Sequence, residues 1–151
     1  MTHENSVALL TQFVKAHLER LVLLREFRKT VDDPYFKSAL SFTIEDTQEA
    51  IARASSRLRQ LGEIATSKIS DETSEKLLRQ GSTRRTPADK IRFVHKGLVM
   101  QMAWYDTYVK ALRDDPDTQA TLVALAEQAR LRLERWENMM DELKVSPDKS
   151  V

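Results

Sequence analysis

Helix-breaking residues are rare in this chain, and their positions divide it into long uninterrupted segments. The 151 residues include 3 Gly and 4 Pro, and three of the Pro directly follow Asp33, Thr86 and Asp115. Proline suits the first turn of a helix because the N–H that it lacks would have no partner there. The preceding Asp or Thr can accept hydrogen bonds from the free backbone amides. Gly62 and Gly81 stand where helices would end. The chain is therefore predicted to consist of long helices.

Four segments carry apolar residues at spacings of three and four, which is typical of helices with one buried face. The predicted helices lie near 5–30, 34–62, 87–113 and 116–144. Short connections make hairpins of the first two and of the last two helices, whereas 63–86 is a long crossover with a short helix from Asp71 to Gln80. The sequence predicts an all-α fold, an antiparallel four-helix bundle of two hairpins joined by this crossover, as a single domain over 1–151.

Composition excludes several classes of function. Charged residues make up 31% of the chain but nearly cancel, with a net charge of +1, which argues against a protein that coats nucleic acid. The sequence has no cysteine, so disulfides, thiolate metal sites and cysteine nucleophiles are excluded. The first residues do not resemble a secretory signal, and no apolar run is long enough to span a bilayer. A soluble cytoplasmic protein without a membrane partner is expected.

Two segments resemble a known family: FTIEDTQEAIARASSRLRQLGE in the second helix and LAEQARLRLERWENMM in the last. Together with the hairpin–crossover–hairpin layout, they make the chain similar to the ferritin-like superfamily of rubrerythrin-type bundles over roughly residues 5 to 144. The resemblance implies a bundle in which the second and fourth helices carry Glu-x-x-His. The other two helices each supply a Glu, and all of these side chains surround two metal ions.

The metal-binding pattern of that family is incomplete in this chain. Glu45 is followed three residues later by Gln48, and Glu127 by Arg130, where the family has His. Arginine does not lose its proton to bind a metal and would repel one. The third long helix has no Glu, and Gln101 takes the middle of its apolar face. The resemblance therefore implies a bundle whose di-metal site is lost, with no cofactor and no catalytic residue.

The inward-facing positions at mid-bundle predict a polar layer of His17, Thr47 and Gln101. Buried polar side chains are normally hydrogen-bonded, so this layer is expected to form a hydrogen-bond network in the core. The leading hypothesis is a non-catalytic bundle that acts as a binding or structural protein. A second hypothesis is a divergent iron or manganese oxidase or peroxidase. It needs Glu19, Glu45 and Glu127 turned inward, with His17 as the nitrogen ligand.

Two surface features suggest partners. The segment 76–96 is locally basic, and Arg84, Arg85 and Lys90 are candidates for anion binding, which gives a third hypothesis of a helical adaptor that contacts nucleic acid. No aromatic platform accompanies these cations within the loop, which argues against base binding. The third long helix also has more apolar residues than one buried face needs. A homodimer is therefore expected through the first and third long helices, with Phe93, Met100 and Trp104 at the interface. The sequence does not identify a small-molecule ligand.

Overall fold

The computed structural model describes residues 2–147 and is helical over most of them, with no strand in that range. The long helices are α1 (Thr2–Thr30), α2 (Pro34–Gln60), α4 (Pro87–Tyr108) and α5 (Pro116–Leu143), and the connection between α2 and α4 contains α3 (Asp71–Ser82). A short 3-10 helix, Lys110–Leu112, follows α4. The all-α prediction is confirmed. Residue 1 and residues 148–151 of the predicted domain lie outside the described part.

The helix ends follow the local signals in the sequence. The side chains of Asp33, Thr86 and Asp115 each accept a hydrogen bond from the backbone N–H three residues later, at 2.9, 3.1 and 3.2 Å. Gly62 has a φ of 86° and ends α2, since a residue in this conformation reverses the chain without a Cβ penalty. The capping prediction is therefore confirmed. The α-helical part of 87–113 is shorter than predicted, because the chain tightens into the 3-10 turn after Tyr108.

Contacts at the two extremities show which helix ends meet. At one end, Arg57 near the end of α2 pairs with Asp115 at the start of α5 at 3.2 Å, and Ser6 of α1 donates to the same carboxylate at 2.6 Å. At the other end, Lys90 at the start of α4 donates to Thr30 at the end of α1 at 3.0 Å. The connection between α2 and α4 therefore covers the length of the long helices.

The apolar core consists of two clusters, one toward each end of the helices. The first is built around Phe27, Phe36 and Trp136, and the second around Leu10, Tyr105 and Leu122. Between them each long helix has at least one buried polar side chain, at the level of His17 on α1 and Gln101 on α4. The polar level at mid-bundle is the part of the interior where hydrogen-bonding groups concentrate.

Helix α3 packs on α1 and covers apolar residues of α1 that lie outside its predicted buried face. A Cβ built on Gly81 of α3 would lie 2.6 Å from Cδ2 of Leu23, so the two helices touch where glycine has no side chain. Gly81 is the next-to-last residue of α3, so the helix ends within one residue of the predicted place. Its role is therefore close packing on α1.

We expect Gly81→Ala to lower the free energy of unfolding by about 1 kcal/mol, because overpacking against the buried Leu23 outweighs the better helix propensity of alanine. Gly97→Ala is the matched control, since a Cβ on Gly97 would meet nothing within 4 Å. That control should gain about 0.5–1 kcal/mol from helix propensity alone. Urea unfolding of both variants checks the prediction, and a gain for Gly81→Ala would contradict the close packing.

Candidate functional site

The three residues predicted to form a polar layer all lie inside the bundle. His17, Thr47 and Gln101 are buried on α1, α2 and α4. The Thr47 hydroxyl donates to the Thr43 carbonyl oxygen of its own helix at 2.7 Å, so it takes no part in bonding between helices. His17 and Gln101 do meet, with 2.7 Å between the imidazole Nε2 and the amide Nε2. The layer therefore reduces to a contact between α1 and α4.

A chain of hydrogen bonds fixes the protonation of His17. The guanidinium of Arg20 can only donate, and its Nη1 lies 2.8 Å from Oε1 of Gln101. The Gln101 amide group must then donate through Nε2, so His17 Nε2 is the acceptor and carries no proton. The His17 Nδ1–H donates to the Phe13 carbonyl oxygen at 2.8 Å. The imidazole is consequently neutral and held at both nitrogens.

Burial and neighbouring cations reinforce this state. Burial, followed by the positive charge of Arg20, lowers the pKa of His17 to about 3. Burial and the charge of Arg132 lower the pKa of Arg20 to about 10, which leaves that guanidinium charged at neutral pH. Burial also raises the pKa of Tyr105 to about 12, so its hydroxyl stays protonated. The polar centre, which we define as His17, Arg20, Gln101, Tyr105 and Arg132, thus holds two positive charges.

Arg132 brings the second of these charges from α5. It is only 4% exposed, and its Nε lies 3.3 Å from Oδ2 of Asp46 on α2. Its Nη1 is buried and has no hydrogen-bond partner among residues 2–147. An unpartnered buried donor on a charged group is costly, so this nitrogen is an unusual feature of the interior.

Sequence reasoning missed both arginines. Arg20 follows His17 by three residues and Arg132 follows Ala129 by three, which is the spacing that places side chains on one helical face. That spacing was the available signal, but charged residues are assigned to the surface by default.

Two cavities open toward the polar centre from different sides. The one between α1 and α4, here called the α1/α4 groove, has a volume of about 240 Å³, with His17, Arg20 and Gln101 among its polar lining. Its apolar lining includes Phe13, Met100 and Trp104. The other cavity lies between α2 and α5, has a volume of about 260 Å³ and is lined by Asp46, Arg132 and Arg135 among others. Each cavity therefore reaches one of the two guanidinium groups of the polar centre.

The carboxylates of the metal alternative are not brought together. Glu45 and Glu127 are exposed, and Glu127 is paired with Arg130 on the surface of α5. Glu19 is half-buried and lines a small cavity beside Leu77 of α3. Within residues 2–147, no three His, Asp or Glu side chains are grouped as metal ligands would be. The side chains at mid-bundle do not fit a di-metal cluster, since they present guanidinium groups instead of carboxylates.

The candidate anion-binding residues of the crossover have contacts within the chain. The Arg84 guanidinium lies 4.9 Å from the centre of the Phe93 ring, and Lys90 Nζ donates to the Thr30 hydroxyl. Arg85 is exposed. Two of the three cations, Arg84 and Lys90, therefore contact different residues within the chain.

The residues proposed for a dimer interface differ in exposure. Phe93 packs edge-on against Phe27 with ring centres 5.9 Å apart, and Trp104 lies 5.6 Å from the Phe13 ring. Met100 is 63% exposed. Because α3 also covers part of α1, some of the apolar surface that motivated the dimer is used inside the chain, and Met100 remains its main exposed contributor.

Comparisons with family models, curated proteins and solved structures find no match to this chain. No helix in the described range is long and apolar enough to cross a membrane.

Proposed function

We propose that this protein is a non-catalytic bundle of ferritin-like topology that acts as a binding protein, and that two guanidinium groups stand at its centre in place of a di-metal site. The observation that carries this proposal is the position of two guanidinium groups at mid-bundle, where Arg132 is buried and Arg20 is half-buried. Two fixed positive charges at this level of the bundle oppose the entry of divalent cations.

The helix ends support the ferritin-like part of the proposal. The Arg57–Asp115 pair puts the end of α2 beside the start of α5, and the Lys90–Thr30 bond puts the start of α4 beside the end of α1. A connection that returns along the full bundle between two hairpins is the feature that distinguishes this topology from a simple up-and-down bundle.

Metal analysis tests the loss of the di-metal site. After expression in medium supplemented with iron and manganese, we expect the purified protein to contain far less than one metal ion per chain. Elemental analysis by mass spectrometry provides the measurement. Glu45→Gln combined with Glu127→Gln is the matched control and should not change the small residual metal content. Near-stoichiometric metal that this double variant loses would establish the oxidase or peroxidase alternative instead.

Two further proposals concern partners, a homodimer and a nucleic-acid adaptor. The exposed Met100 supports a dimer through α4, although Phe93 and Trp104 are largely occupied within the chain. Arg84 and Lys90 make contacts within the chain, so two of the three candidate cations are occupied, which gives the adaptor less support.

A further inference from the structure

The polar centre has more positive than negative charge. Arg20 and Arg132 supply two cations, and Asp46 is the carboxylate within salt-bridge distance of Arg132. Arg20 has no carboxylate oxygen within 4.0 Å among the described residues, and its one hydrogen bond there goes to the neutral amide of Gln101. Arg20 is only partly buried and lines the α1/α4 groove, so its charge is available to an anion that enters the groove.

The geometry of Arg20 leaves one side of its guanidinium group available. Nη1 is held by Gln101 Oε1, whereas Nε and Nη2 make no hydrogen bond to residues 2–147. These two nitrogens form the fork that matches the two oxygens of a carboxylate. Arg20 lines the α1/α4 groove, and the bond to Gln101 fixes its orientation there.

The rest of the α1/α4 groove is suited to an apolar group. Phe13 of α1 and Trp104 of α4 contact each other, with ring centres 5.6 Å apart, and form one aromatic wall of the groove, to which Met100 adds a flexible side chain. A pocket with apolar walls and a few convergent polar groups is typical of a small-molecule site. The volume of about 240 Å³ limits the ligand to a compact molecule.

Gly97 is a second sign that this space is kept open. It lies in the middle of α4, where glycine costs about 1 kcal/mol relative to alanine. No neighbouring atom requires its small size, because a Cβ there would have nothing within 4 Å. Gly97 lines the α1/α4 groove, and its missing side chain therefore leaves the groove unfilled rather than allowing close packing.

We propose that the α1/α4 groove binds a small aromatic monocarboxylate, whose carboxylate pairs with Arg20 while its ring packs against the apolar wall formed by Trp104, Phe13 and Met100. This inference rests on the proposed binding function and names its ligand class. Arg132 supplies a second positive charge behind the groove. A phosphate dianion fits less well, because His17 and Gln101 add few free donors beside the single guanidinium fork.

Titration calorimetry with benzoate tests the ligand class on the full-length protein. We expect saturable binding with one benzoate per chain. Benzamide has the same ring without the charge, and it should bind at least tenfold more weakly. Inorganic phosphate and chloride at the same ionic strength should not compete with benzoate.

Two variants test the location. Arg20→Met keeps the aliphatic stem and should weaken benzoate binding at least tenfold, while Arg85→Met, at an exposed position, should leave binding unchanged. Gly97→Leu should abolish binding by filling the groove from a position with free space around it. Circular dichroism and cooperative unfolding establish that each variant is folded, and Arg20→Met leaves no carboxylate unpaired because the hydrogen bond of Arg20 goes to the neutral amide of Gln101.

Several outcomes would overturn the inference: no saturable benzoate binding, equal binding of benzoate and benzamide, displacement by phosphate alone, or binding unaffected by Gly97→Leu. If benzoate fails to bind a preparation that is free of metal, the ligand class is wrong and the proposed binding function stands. Stoichiometric metal in the same preparation would instead overturn the proposed function.

Discussion

Lowering the pH from 7 to 4 is expected to reduce the free energy of unfolding by about 3 kcal/mol through the imidazole of His17 alone. The pKa of His17 is about 3 in the folded protein, against 6.5 for a free imidazole. Between these two values the unfolded chain binds a proton that the folded chain does not. Stability is therefore lost as the pH falls through this window, by about 1.4 kcal/mol per pH unit, and is fully present above pH 6.5.

The groups around His17 explain why protonation is so unfavourable. Arg20 on the same helix and Arg132 on α5 both bring positive charge, and burial removes the water that would stabilise an imidazolium. From α4, Tyr105 stays neutral and Gln101 presents an N–H group to Nε2. A protonated Nε2 would face that donor, and a rotated Gln101 amide would give up its bond to Arg20. Protonation thus breaks the hydrogen-bond chain at one place or the other.

His17→Gln is the variant that isolates this effect, since the glutamine amide does not titrate. Urea unfolding at several pH values between 7 and 4 should show a shallower loss of stability in the variant than in the wild type. The difference in slope should approach one proton across the window. His95→Gln serves as the matched control, because His95 is bonded to Glu137 outside the polar centre. Equal acid sensitivity of the wild type and His17→Gln would contradict the neutral, buried imidazole.

The helix ends could be predicted from sequence because their causes are local. Asp33 and Pro34 start α2 through one turn of backbone, and Gly62 ends it through its own φ angle. The crossover helix predicted from Asp71 to Gln80 is observed as Asp71–Ser82 for the same reason: Ser70 caps it by accepting from the Thr73 N–H. No such signal marks the change from α-helix to 3-10 helix after Tyr108, and that boundary was misplaced.

The polar centre depends on packing between helices. The spacing of apolar residues along the sequence does not show how the helices pack against one another. The positions of His17 and Gln101 followed from helical phase, but their partner Arg20 carries a charge that the same reasoning places in solvent. Arg132 is buried because α2 offers Asp46 at the matching level. Helix α3 covers Leu23 only because Gly81 has no side chain, so the apolar residues of α1 seemed free to form an interface.

Asp115→Ala should lower the free energy of unfolding by about 3 kcal/mol, because this carboxylate connects three helices. It accepts from the Ser6 hydroxyl of α1 at 2.6 Å and pairs with Arg57 of α2 at 3.2 Å. It also caps α5 through the backbone N–H and the hydroxyl of Thr118. Removal leaves the largely buried Arg57 guanidinium without its carboxylate, which adds to the lost cap.

Asp33→Ala is the matched control for this prediction, since Asp33 caps α2 through the Phe36 N–H and has no salt bridge in the described part. It should cost about 1 kcal/mol, the value of a cap alone. Urea unfolding at pH 7 compares the two variants. Equal losses would mean that Asp115 is only a cap and that the bonds to Ser6 and Arg57 add nothing to stability.

The same carboxylate makes a separate contribution to acid stability. Partial burial acts to raise the pKa of Asp115, but hydrogen bonds from Ser6 and Thr118 and the charge of Arg57 hold it at about 2, below the usual 3.8. A folded pKa below the unfolded one gives stabilisation that is present above pH 3.8 and is lost as the pH falls toward 2. Asp115→Asn removes this titration, so its stability should fall less than that of the wild type between pH 4 and pH 2. This window lies below most of the titration of His17, and the two groups can therefore be separated in one set of unfolding curves.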